Sequence, residues 1–316
     1  MSPRTRVYAV VAAAAAVAVA AIVGVTWLQA RGETTSRPGA VTTPRPGIPP
    51  LFFDFGLRND AETRALATAA KLLQEGKRAR AAAVFARYPG SVQAQIGAAF
   101  AAWPKGSLDA VRHLLVLHAD DPVVNLHYAI ALYWSGRNAD AEKQFEAVDS
   151  KFPDSPSSVD AEDILYAGRY ASGLPHMIAP VAIPSGRTIG EQLAKARTPL
   201  VRGVIEWYLE RRVSARRALN EAARAAPDDP MVQTLDAVAY YSKRNPTAAF
   251  SRLGPLTGRF PKAAVVRLHL AELLLWQKQV AKARVQLRAA VADEPTSVYA
   301  EQAKELLSAL ATNGTK

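Results

Sequence analysis

Residues 126–153 read LHYAIALYWSGRNADAEKQFEAVDSKFP, and this stretch decides the fold. Apolar residues recur every three or four positions as far as Trp134, as they do on the buried face of an α-helix. Gly136 interrupts this pattern, a second helical pattern follows around Phe145, and Pro153 ends it. The stretch therefore predicts two consecutive helices that form a hairpin.

Parts of this hairpin pattern recur along the chain. In five places an alanine stands twelve positions before a proline: Ala110 and Pro122, Ala141 and Pro153, Ala218 and Pro230, Ala249 and Pro261, and Ala283 and Pro295. An alanine early in a helix lets the partner helix approach closely, and the proline turns the chain into the next hairpin. One hairpin alone cannot bury its apolar face, whereas a stack of hairpins can. We therefore predict an all-α fold, a right-handed α-solenoid of helical hairpins.

Two of the hairpins carry a family pattern. It comprises Leu126, His127, Tyr128, Ala129, Leu132, Tyr133, Ser135, Gly136, Arg137, Ala141, Phe145 and Pro153 in one hairpin, and Leu270, Ala271, Leu274, Ala283, Leu287 and Pro295 in the last. With these residues the chain resembles the tetratricopeptide repeat family, in its membrane-anchored, exported bacterial form, over roughly residues 60–312. The resemblance implies that the first helix of each hairpin lines a concave wall.

A continuous apolar stretch lies near the N-terminus. Residues 7–28 contain no charge, and a helix of this length would cross roughly 30 Å of hydrocarbon. Arg4 and Arg6 precede it, so the positive-inside rule places residues 1–6 in the cytoplasm and the rest of the chain on the exported side of the cytoplasmic membrane. We predict one transmembrane helix that acts as a signal anchor. The alternative is a signal peptide whose cleavage yields a secreted protein.

The composition changes again after the apolar stretch. Residues 29–50 are rich in proline, threonine and glycine, which disfavours regular structure and predicts a linker. Residues 51–316 form the predicted repeat domain, with an insertion at about 154–199. Within the insertion, residues 173–184 are mostly apolar and include three prolines. This loop either packs against the helices or faces a partner.

The sequence offers little for catalysis or metal binding. There is no cysteine, which excludes disulfides, thiolate metal ligands and cysteine nucleophiles. The common motifs of metalloproteases, hydrolases and nucleotide-binding enzymes are absent, and the five histidines are scattered. We therefore predict a protein that is not an enzyme, with no catalytic residues, no metal site and no cofactor. The net charge of +11 is spread along the chain, and the exported location argues against nucleic acid as a partner.

Six large side chains are candidates for the binding surface. Because the resemblance places first helices on the concave wall, aligning the repeats directs toward it Tyr133, Trp134, Trp207, Arg211, Tyr241 and Trp276. Aromatic and arginine side chains are typical of binding hot spots, so we predict that they line a peptide groove. The alternative is that these rings pack between adjacent repeats.

The combined prediction is a membrane-anchored adaptor or scaffold. It would bind a protein or peptide partner on the exported side of the membrane and assist an envelope assembly complex. One alternative is a structural spacer that forms homo-oligomers through the edges of the hairpin stack. Another is a hairpin stack that acts on cell-wall polymer.

Overall fold

The computed structural model describes residues 43–186 and 188–313, which contain helices, turns and extended segments but no strand. The all-α prediction is therefore confirmed for this part of the chain. Residues 1–6, the predicted transmembrane helix at 7–28 and most of the predicted linker lie outside the described residues. None of the described helices combines the length and the apolar character needed to span a bilayer.

The described residues divide into two compact units, with the boundary after Leu165. The N-terminal unit contains α1 (Ala61–Gln74), α2 (Arg78–Phe85), α3 (Val92–Ala101), α4 (Ser107–Leu117), α5 (Pro122–Trp134), α6 (Asn138–Lys151) and α7 (Pro156–Leu165). The C-terminal unit contains α8 (Ile189–Ala194), α9 (Pro199–Tyr208), α10 (Arg212–Ala225), α11 (Pro230–Val238), α12 (Thr247–Arg259), α13 (Ala264–Trp276), α14 (Val280–Asp293) and α15 (Val298–Asn313). Each unit is described separately below.

Consecutive helices pair into hairpins in both units. In the N-terminal unit α5 packs on α6, and α3, α5 and α7 contact one another in sequence as the first helices of successive hairpins. In the C-terminal unit α11, α13 and α15 form the corresponding row. The small and large residues of the repeat pattern are buried at the centres of these hairpins, as Ala141 and Phe145 show with at most 1% exposure.

Aspartate and proline together start two of the first helices. Asp121 lies at the N-cap of α5, where one carboxylate oxygen accepts hydrogen bonds from the backbone N–H groups of Val123 and Val124 at 2.8 and 3.1 Å. Pro122 then occupies the first turn, where no N–H is needed. Asp229 and Pro230 start α11 in the same way. Two of the five prolines of the repeat pattern thus begin a helix, whereas Pro153, Pro261 and Pro295 lie in the turn before one.

Residues 154–199, predicted as an insertion, are distributed over both units. Helix α7 completes the N-terminal unit, and the C-terminal unit begins with an extended segment followed by α8. A second extended segment precedes α1 in the N-terminal unit. We call residues 43–58 the N-terminal strap and residues 171–186 the C-terminal strap.

Close helix contact in the C-terminal unit depends on Gly203. A Cβ atom at this position of α9 would lie 2.6 Å from Cγ of the buried Leu219 in α10. We expect Gly203→Ala to lower the free energy of unfolding by about 1–3 kcal/mol, because the two helices must move apart. In Gly258→Ala the new methyl group meets open space near the end of α12, so this control should gain up to about 1 kcal/mol. Urea titration of both variants measures the two effects, and a loss in both would contradict the steric explanation.

Candidate functional site

Two backbone N–H groups of the C-terminal strap, seven residues apart, donate hydrogen bonds to α13. The N–H of Ala171 donates to the carbonyl of Trp276, the last residue of α13, at 2.9 Å. Seven residues later, the N–H of Ile178 donates to Nε2 of His269 in the middle of α13 at 3.0 Å. The strap therefore runs antiparallel to α13.

Side chains of α13 and α9 donate hydrogen bonds to alternate carbonyls of this strap. Trp276 Nε1 donates to the carbonyl of Gly173 at 3.3 Å, and Trp207 Nε1 donates to that of Pro175 at 2.8 Å. The hydroxyl of Tyr208 donates to the carbonyl of Met177 at 2.7 Å. Every second carbonyl of an extended chain points to the same side, so the groove recognises the backbone of the strap.

The N-terminal strap lies on α5 in the same register. The N–H of Arg45 donates to the carbonyl of Trp134 at 2.9 Å, and the N–H of Phe52 donates to Nε2 of His127 at 3.1 Å. We call these two strap residues the anchors, and they are again seven residues apart. Their acceptors on α5, the last residue of the helix and a histidine, are also seven positions apart. Arg45 also places its guanidinium 3.3 Å from the ring centroid of Tyr133.

The two straps share a sequence pattern that follows from this register. Residues 47–52 read Gly-Ile-Pro-Pro-Leu-Phe, and residues 173–178 read Gly-Leu-Pro-His-Met-Ile. Both glycines have positive φ angles, +88° and +72°, a conformation that side chains rarely adopt. The third and fifth residues of both stretches are buried and their neighbours are half-buried. The two units thus contain equivalent grooves, each filled by a strap of the same chain.

Two buried histidines form the centres of these grooves. Nδ1 of His127 lies 2.7 Å from the carbonyl of Val123, and Nδ1 of His269 lies 2.8 Å from that of Val265. Only a protonated Nδ1 can donate to these carbonyls, which leaves Nε2 as the acceptor for the strap. Burial lowers the pKa of His127 to about 4 and also lowers the pKa of His269, so both rings are neutral at pH 7.

The residues predicted to line the concave wall are divided between the two units. Tyr133 and Trp134 belong to the N-terminal unit, where they are half-buried and their rings meet edge to face at 5.5 Å. Trp207, Trp276 and Tyr241 belong to the C-terminal unit and are at most 3% exposed. Both tryptophans contact the strap, and Tyr241 packs in the same apolar cluster as they do. Whether these residues bind a partner stays a prediction.

Charged groups of the C-terminal unit include one of the predicted residues and one that contacts the C-terminal strap. Arg211, the sixth predicted residue, precedes α10 and forms an ion pair with Glu206 at 3.5 Å. The carboxylate of Glu272 lies 3.8 Å from Nδ1 of His176 in the strap. Tyr208 is 47% exposed as a residue, but desolvation of its hydroxyl, with a smaller effect of the Glu272 charge, raises the pKa of this hydroxyl to about 12, and it remains the protonated donor to the strap.

His127, His269 and Tyr208 are functional candidates that the sequence prediction missed. Each contacts a strap, yet a single histidine or tyrosine on an apolar helix carries no motif. The available signal was the spacing common to both units, in which Leu-His precedes the final tryptophan of the helix at residues 126–134 and 268–276. Among the described residues there is no group of three or more potential metal ligands.

The groove helix of the C-terminal unit lies within a recognised family region. Residues 240–310 match the family model for the tetratricopeptide repeat. The matched region contains both His269 and Trp276, so the family model supports the repeat that sequence patterns assigned to the last hairpin. The matched region covers α12, the hairpin of α13 and α14, and most of α15.

Other comparisons carry little information. No curated protein matches the chain. Among solved structures it is similar to the yeast protein Tom70, with 16% identity, coverage of 79% of this chain and 48% of the Tom70 chain, and a TM-score of 0.30. The chain thus spans about half the length of that protein, and a likeness at this level supports no functional argument.

Proposed function

We propose that this helical-repeat protein is an adaptor that binds an extended segment of a protein partner. The observation that carries the proposal is the pair of equivalent grooves, each of which already holds an extended peptide through backbone hydrogen bonds. Tetratricopeptide repeats generally bind proteins, which supports the same conclusion. Because both grooves are filled, a partner segment would replace a strap.

We further propose that the two units act on the exported side of a membrane, within an envelope assembly complex. Support comes from the apolar residues 7–28, the arginines before them and the proline-rich linker after them. Fusion of alkaline phosphatase or green fluorescent protein after Lys316 tests the location. An active phosphatase with a dark fluorescent protein is expected, and the reverse result would contradict export. The apparent mass of the fusion in the membrane fraction shows whether the N-terminal segment is retained.

Photo-crosslinking in cells tests the adaptor function. A photoreactive amino acid is placed at Trp134 and at Tyr208, which lie at the grooves and are partly exposed. The controls are Val116 and Val285, which are 75% and 59% exposed and belong to α4 and α14, helices that donate no hydrogen bond to a strap in the contacts described above. We expect one recurrent protein from the groove positions that the controls do not capture.

Two outcomes of the crosslinking would contradict the adaptor function. An identical set of captured proteins from groove and control positions would indicate nonspecific contact. Crosslinks only between copies of this chain would instead favour a homo-oligomeric spacer.

A further inference from the structure

One difference between the two grooves is a contact between a strap residue and a residue of the groove helix. In the C-terminal unit the strap places His176 beside Glu272 of α13, with 3.8 Å between Nδ1 and the carboxylate. With the straps and groove helices aligned by their shared anchors, the equivalent residues in the N-terminal unit are Pro50 and Ile130. One groove therefore contains an acidic side chain where the other contains an apolar one.

The surroundings of the Glu272 carboxylate favour a positively charged neighbour. Its side chain is 3% exposed, and among the described residues its Oε2 atom has no hydrogen-bond partner. Nδ1 of His176 also has none, and the His176 ring packs edge to face on Trp276 with 4.9 Å between centroids. The carboxylate also acts electrostatically on the hydroxyl of Tyr208 and the ring of His269, both of which are neutral donors or acceptors to the strap. A buried carboxylate without a counter-charge is strongly destabilising.

We propose that Glu272 determines which peptides the C-terminal groove accepts. The groove fits an extended peptide with a histidine, lysine or arginine two residues before the residue whose N–H donates to His269. The N-terminal groove instead fits a peptide with an apolar residue at that position. The proposal rests on the proposed function, since it names the chemistry of the partner segment that would replace the C-terminal strap.

If each strap were placed in the other groove, both would meet a helix residue that does not suit them. A peptide with proline at this position, as in the N-terminal strap, would leave the buried Glu272 carboxylate without the imidazole that lies beside it. A peptide with histidine in the N-terminal groove would place an imidazole beside Ile130, which is fully buried and offers no acceptor. Each mismatch removes a favourable interaction and exposes an unfavourable one, which is how a binding surface separates similar ligands.

Peptide binding to the full chain tests the proposal directly. The variant Ile178→Pro lacks the N–H that donates to His269, so it weakens the C-terminal strap, and hydrogen exchange of residues 171–186 confirms the release. Fluorescent synthetic peptides of residues 169–184 are then added, with native His176 or with His176→Arg, His176→Ala or His176→Asp. We expect the histidine and arginine peptides to bind best and the aspartate peptide to bind at least about tenfold more weakly.

The same titrations with Glu272→Gln added to the chain provide the control. The differences among the four peptides should then largely disappear. Equal binding of the native and aspartate peptides would overturn the proposal, as would differences that persist without the carboxylate. Failure of every peptide to bind, although the strap exchanges freely, would also overturn it.

A variant pair that copies the N-terminal unit gives an independent measurement. His176→Pro and Glu272→Ile are made singly and together in the full chain. We expect His176→Pro alone to lower the urea midpoint more than the double variant does, because only the single variant leaves Glu272 without a partner. Additive effects would overturn the proposal.

The outcomes separate this inference from the adaptor function. Selective peptide binding without a crosslinked partner in cells would contradict the adaptor function alone. A crosslinked partner together with unselective peptide binding would contradict the role of Glu272 alone.

Discussion

Replacement of Trp207 by alanine is expected to lower the free energy of unfolding of the C-terminal unit by about 3–5 kcal/mol. The side chain is 2% exposed, and its loss would leave a cavity beneath the C-terminal strap. The carbonyl of Pro175 would also lose the indole N–H that donates to it at 2.8 Å. Urea titration of the full chain measures the loss, and hydrogen exchange of residues 171–186 shows whether the strap is released.

The variant Trp207→Phe separates packing from hydrogen bonding. It keeps most of the aromatic surface and removes the N–H, so a smaller loss of about 1 kcal/mol is expected. Faster hydrogen exchange in the strap should accompany even this small loss. Equal effects of the alanine and phenylalanine variants would contradict the packing contribution of the ring.

Acidification from pH 7 to pH 4.5 is expected to destabilise the N-terminal unit through His127, on the order of 2–3 kcal/mol. In the folded unit the pKa of this buried ring is lowered to about 4, against 6.5 in an exposed chain. Between these values the unfolded chain binds a proton that the folded unit does not, so stability falls as the pH falls. Protonation also removes the acceptor for the N–H of Phe52. The lowered pKa of His269 predicts a change of the same sign in the C-terminal unit.

Urea titrations at pH 7, 6, 5 and 4.5 measure this dependence. The control is His127→Gln, in which an amide oxygen can accept a hydrogen bond without titrating in this range. The variant should be less stable at pH 7 but should lose less on acidification. An equal loss in both proteins would assign the dependence to other groups.

The hairpins were predictable because their signals are local. Gly136 between two helical patterns, with Ala141 and Phe145 in the second, predicts a tight turn and a close helix pair, and the structure contains both. These residues interact with neighbours within about one hairpin of sequence. Local patterns of this kind are retained whatever the rest of the chain does.

Packing of residues 173–184 against the helices was left open by the sequence, but the register of the straps was not predicted, because their contacts are distant in sequence. Phe52 and His127 are 75 residues apart, and Ile178 and His269 are 91 residues apart. The contacts also use the backbone of the strap, which leaves little trace in its composition. Residues 154–199 therefore resembled an insertion, although they include the end of one unit and the beginning of the next.

The candidate groove residues were predictable in part. Trp207 and Trp276 follow from their positions on first helices, and the structure places both against an extended peptide. The sequence did not reveal that this peptide belongs to the same chain. Repetition of Gly-Ile-Pro at residues 47–49 as Gly-Leu-Pro at residues 173–175 was the signal that could have shown it.

The position of each strap ahead of its groove has a consequence for synthesis on the ribosome. At about 5–20 residues per second, a strap emerges roughly 5–20 s before the histidine that will bind it, since 75 or 91 residues must follow. During this interval it is an unpaired apolar peptide. The C-terminal strap emerges when α5 of the N-terminal unit is already complete. The order of translation thus makes the N-terminal strap and its groove available to each other before the C-terminal strap has been synthesised.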